Sequence, residues 1–141
     1  MDSSANNVKN VVNGYTGAKS EHRLNEAKRK QMQHDIKIYL QQYFKQELGK
    51  GIDYTKIIIC EDMLIIRGEG FLTEPEKIVA QTPSGKKIIK ALRNHVILQL
   101  WQHNKKYLEE KLDAKVIHSF FDIEPEKDFW INTVVFDCYF T

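Results

Sequence analysis

The 141 residues, 42% of them apolar, fit one domain large enough to bury a core. No apolar run approaches the roughly 18–20 residues that cross a bilayer, two cysteines are too few for a disulfide framework, and MDSSANNVKN lacks an apolar signal core. The expectation is a reduced, cytoplasmic chain with no membrane insertion, and its net charge of +2 gives no reason to expect nucleic acid as a partner.

Residues 1–20, rich in Asn, Ser and Gly, read as a flexible polar tail, and 21–141 as a single domain. From about Glu21 the sequence favours helix, with Ser20 as a candidate cap and Met32, Ile36, Tyr39 and Tyr43 recurring three and four apart, widened by Leu40. Gly49 is placed to stop that helix, and Gly51 follows it. The β-branched run Ile57, Ile58 and Ile59 predicts a strand, Glu61-Asp62 a two-residue turn, and Met63 to Arg67 the returning strand. Gly68 and Gly70 are expected to end or bulge that strand. Thr73 and Glu76 have capping-box spacing around Pro75, and Thr82-Pro83 signals a second helix start.

The helix predicted from about Pro83 to Leu112 carries two apolar stripes. Ile89, Leu92, Val96, Leu100 and Tyr107 form one, suited to covering a sheet. Ile97, Trp101, Leu108 and Leu112 form the other and are the candidate interface, toward the first helix, a second subunit or a partner. Beyond it VIHSFFDI reads as a strand, EPEKD as a turn and FWINTVVFDCYF as a last strand. The order α-β-β-α-β-β predicts a two-layer α+β domain, with a four-stranded, mainly antiparallel sheet and both long helices on one face. Apolar residues on both faces of the last strands, Trp130 and Phe136 among them, point to a homodimer covering the second face. Charge divides along the same lines. Residues 84–115 hold eight Lys/Arg against three Asp/Glu, and residues 116–141 one against five, so the helices are basic and the hairpins acidic.

No stretch has the spacing of a catalytic or metal motif. His95 and His103 are eight apart, too far for the adjacent-turn chelate of an i,i+4 pair, so no metal or cofactor is expected. Cys60 and Cys138 sit in apolar strand runs, the usual setting of an inert buried thiol. Arg93 between the helix stripes, and His118 and Asp122 within an otherwise apolar strand, are the candidate functional polar residues. TPSGKK lacks the first glycine of a phosphate loop.

Taken together, ELGKG after a helix, EDMLIIRGEGFLTEPEK, TPSGKKIIKALR and VIHSFFDI…VVFDCYF resemble the MpsC family over about residues 35–140. The most specific elements are Gly49-Lys50-Gly51, Asp62, Leu72-Thr73-x-x-Glu76, Gly85, Arg93 and Asp122; Ile52 departs from the proline common in the family. The resemblance implies a non-catalytic accessory protein of a sodium-translocating, membrane-potential-generating system. It would sit at the inner face of the membrane, beside a membrane subunit and a large soluble subunit. A small enzyme or ligand sensor built on Arg93, His118 or Asp122 stands as the alternative.

Overall fold

A computed structural model describes residues 19–141. In chain order these are β1 (Ser20–Glu21), α1 (Glu26–Leu48), β2 (Tyr54–Cys60), β3 (Met63–Glu69), α2 (Glu74–Val79), α3 (Pro83–Leu112), β4 (Val116–Glu124), a 3-10 turn (Pro125–Lys127), β5 (Phe129–Phe136) and β6 (Cys138–Tyr139). The main sheet has the order β2-β3-β5-β4 and is antiparallel throughout. Each half of the chain contributes a helix and a hairpin, α1-β2-β3 and α3-β4-β5. The inner strands β3 and β5 meet at the centre, so the halves are related by an approximate two-fold axis between them.

Alternation sets which face the helices cover. Ile57, Ile59, Leu64, Ile66, Trp130 and Val134 share one face and are buried with Ile36, Leu40 and Phe44 of α1 and Leu108 of α3. Trp130, 1% exposed, is the centre of an aromatic cluster with Phe44, Phe71 and Phe121 at ring-centre distances of 5.5–5.9 Å. Tyr39 of α1 stacks on Tyr107 of α3 at 3.5 Å, and Lys111 Nζ of α3 donates to Asp35 of α1 at 2.9 Å, tying the helices together.

The predicted turns and stops hold. Gly49 ends α1 with φ 74°, in the left-handed region that favours glycine, and Cys60 pairs with Met63 across the Glu61-Asp62 turn. Thr73 Oγ1 accepts from Glu76 N while Glu76 Oε1 accepts from Thr73 N at 2.9 Å, the reciprocal capping box. Thr73→Ala is expected to lower stability by about 1 kcal/mol, read as a shift in the urea midpoint. Thr82 caps α3, and Gly85 in its first turn passes so close to Val79 O that a Cβ would lie nearer than 3.0 Å.

Four expectations are corrected. α1 starts at Glu26 under Asn25, whose Oδ1 accepts from Lys28 N at 2.8 Å, and Ser20 belongs to β1. Of the proposed tail, residues 1–18 lie outside the described residues. The last strand is broken at Asp137, where Asp137 N donates to Lys115 O and Lys115 N to Asp137 Oδ1, both at 3.0 Å; the chain then pairs in parallel with β1. β3 continues through Gly68 to Glu69, because Gly68 admits the Trp130 indole and does not interrupt the ladder. Cys60 is exposed at the hairpin tip and Cys138 is buried in β6, where burial above all pushes its thiol up to about 11.

Candidate functional site

The residues singled out in the sequence separate into two places. Arg93, on α3, is 4% exposed and donates from Nε to Glu76 Oε2 at 2.8 Å and from Nη2 to Glu76 Oε1, a two-pronged ion pair. Nη2 also reaches Phe71 O at 3.2 Å, and the guanidinium lies 4.4 Å from the Phe71 ring centre. Burial alone would raise the Glu76 carboxyl, but the hydrogen bonds from Arg93 and Thr73 outweigh it and hold the group below its ordinary range. Lys50 Nζ donates to Gly70 O at 2.6 Å, and Asp128 Oδ1 accepts from Phe71 N at 2.9 Å and Leu72 N at 3.0 Å.

The link from β3 to α2, residues 70–73, is therefore gripped by Lys50, Asp128, Arg93 and Glu76. Gly49-Lys50-Gly51, the capping box and Arg93, scattered in the sequence, converge there, so Arg93 is committed to holding a chain segment in place. Sequence reading missed Asp128. Its only local signal is an acid closing the EPEKD turn, adopted with φ 50°.

The second place is a groove of about 510 Å³ between α3 and β4. Ile97, Leu98, Trp101 and Phe121 give it an apolar wall, and Asn94, Lys105, His118 and Ser119 a polar rim. At its floor Ser119 Oγ donates to Asn132 Oδ1 at 3.2 Å, and Asn132 is 7% exposed. Behind Ile97, Trp101 and Phe121 lies a small void of about 20 Å³ against Leu40, Phe44 and Trp130.

The candidate interface stripe is thus divided. Ile97 and Trp101 are half-buried and border the groove, whereas Leu108 and Leu112 are buried within the chain's own core and are withdrawn from any interface. The stripe judged suited to the sheet divides too, Ile89 being buried and Leu92 exposed. Asp122 stands apart from His118's groove and from Arg93. It is exposed on β4, where Lys90 Nζ at 3.1 Å and then Ile123 N at 2.9 Å hold its carboxyl below the usual range. His103 stacks on Tyr43 at 5.0 Å. Among the described residues, no three His, Cys, Asp or Glu are grouped to hold a metal, and no helix is long and apolar enough to cross a membrane.

Residues 28–138, nearly all of this arrangement, match the family model described as "Na+-translocating membrane potential-generating system (MpsC)". The chain belongs to the MpsC family. It is similar to the uncharacterised protein YrhF of Bacillus subtilis (strain 168), 29% identical over 105 residues that cover 74% of this chain and 86% of that protein. No solved structure matches it. The family match spans both helices and both hairpins, including the gripped link and the groove.

Proposed function

We propose that this MpsC-family chain is a non-catalytic accessory component of a sodium-translocating, membrane-potential-generating system, acting at the cytoplasmic face of the membrane. Its α3–β4 groove is the docking site for the system's own membrane or large soluble subunit. The observation that carries this reading is the contrast between the two places. Arg93 is spent in a buried ion pair within the chain, whereas Ile97 and Trp101 border an open apolar groove. An aromatic anchor beside aliphatic neighbours, rimmed by polar groups such as Lys105 and His118, matches the anatomy of a protein interface. The family description supplies the system in which such a partner would be found.

Trp101→Ala tests it. Association with the purified membrane and soluble subunits is expected to weaken by about 2 kcal/mol or more, roughly thirtyfold, with the circular dichroism spectrum unchanged. Loss of the spectrum would return Trp101 to the core, and unchanged association with an intact fold would remove the groove from the interface. The hydrogen-bonded Ser119–Asn132 pair at the floor favours one second reading, a pocket for a small amphipathic ligand. A metabolite retained by the purified protein and displaced by Trp101→Ala, with subunit association unaffected, would decide for it.

A further inference from the structure

The helices cover one face of the sheet, and among the described residues no helix covers the other. Its residues alternate with the buried ones, and the register arranges them in rows across β2, β3, β5 and β4. One row is Ile58, Ile65, Thr133 and Phe120; the next is Lys56, Arg67, Ile131 and Asp122. Ile58, Ile65 and Ile131 are partly exposed, and Phe120, at the β4 edge, is 66% exposed. An open face of an antiparallel sheet is ordinarily polar, so an aliphatic centre with an outlying phenyl ring needs an occupant.

The charges on this face say which. Lys56 and Arg67 lie on the β2–β3 half, and Asp122 and Glu124 on the β4 edge. Two groups are partly engaged within the chain: Glu69, on the basic half, accepts from Arg67 at 3.4 Å, and Asp122 has Lys90 at 3.1 Å. Turning a second copy about an axis that runs along the strands, between β3 and β5, lays its β4 over the first copy's β2. Lys56 then faces Asp122 of the other copy, Ile58 faces Phe120, and Ile65 faces Thr133. The two-fold repeats each match. A turn about an axis across the strands instead would set β2 over β2 and Lys56 near Lys56. The Lys56–Asp122 pairing forms in the first orientation only.

We infer that the chain forms a homodimer through this open face, the two sheets packed with strands within about 30° of each other. The surface adjoins the α3–β4 groove at His118, whose ring stacks on Phe120 at 6.3 Å, but Ile97 and Trp101 lie outside it, so Trp101→Ala and the open-face variants test the two readings separately. Cys60 ends β2 on the same face and is exposed, whereas Cys138 is buried, which provides a reporter in the unaltered chain.

Sedimentation velocity on the full chain is expected to show a dimer at roughly 50 µM. Phe120→Glu and Lys56→Asp should each weaken it by at least about tenfold, with circular dichroism intact because both positions are exposed. The double variant Lys56→Asp, Asp122→Lys should restore it to near the original affinity. A monomer at that concentration overturns the inference, as does a dimer that both single variants leave unchanged, or a folded double variant that stays dissociated. Maleimide labelling of Cys60 in the unaltered chain should slow as protein concentration rises; a rate that does not change with concentration also overturns it, whatever the variants do.

Discussion

Gly68→Ala is expected to cost about 2–3 kcal/mol, a large share of the stability of a domain this size. The backbone at Gly68 is ordinary strand, so the cost does not arise from φ. It arises because a Cβ there would lie nearer than 3.0 Å to three atoms of the Trp130 indole. The indole has little room to retreat, being enclosed by Phe44, Phe71 and Phe121 with a void of only about 20 Å³ beside it. Denaturant unfolding of Gly68→Ala, Trp130→Leu and the double variant measures the coupling. The cost of Gly68→Ala should largely vanish where position 130 is Leu. If it persisted undiminished, the glycine would be required for some reason other than the indole.

Arg93→Met should be the other severe change, at about 3 kcal/mol or more, because it leaves Glu76 without its buried counter-charge. The side chains are 5% and 14% exposed, so solvent screens little of this interaction. The pair also gives a pH signature. Glu76 is held below its ordinary 4.5 in the fold, so the stability it contributes is present above that value and is lost as pH falls through the folded one. In Arg93→Met the Arg93 contributions to that lowering are gone, so the carboxyl rises relative to the parent, and the variant should lose less stability than the parent on going from pH 7 to pH 4. Urea midpoints of both proteins at the two pH values check this. Equal losses in parent and variant would mean that the Arg93 pair does not set the acid limb. A site poised to bind a ligand would show the opposite economy, with activity lost and stability kept.

Much of the architecture was legible because its signals are local. The capping box at Thr73, the stop at Gly49 and the start at Thr82-Pro83 each depend on residues within one turn, and all three stand where the spacing put them. The β-branched run at Ile57–Ile59 and the turns at Glu61-Asp62 and EPEKD separated the four main strands for the same reason. What was not legible depends on remote partners. A two-residue parallel strand such as β1 has no periodicity to detect, and its pairing is fixed by His22 N donating to Tyr139 O at 2.8 Å. Ser20 and Asn25 are both capping residues, and only that pairing, which keeps the chain extended up to Leu24, decides between them. The role of Gly68 is set by a tryptophan from the other hairpin. The α3 stripe illustrates the limit most directly. A helical wheel places Trp101 and Leu108 on one side, but it contains nothing about where the chain's own core ends along a helix of 30 residues. Leu108 falls over the core and Trp101 at its margin.

The meeting of β3 and β5 at the sheet's centre also bears on how the chain reaches this fold. Each hairpin closes locally and on its own, an event of about 1–10 µs in isolated peptides. Joining Ile65 to Thr133 is different in kind, because the intervening chain includes all of α2 and α3 and must be closed into a loop first. Until that happens both halves carry an unpaired inner edge, and Trp130 lacks the Gly68 surface it lies against. The central seam is thus the topologically slow step. It is also where two chains arrested halfway would pair with each other, β3 of one with β5 of another. That exchange would build the same sheet from two molecules and leave the native contacts unchanged.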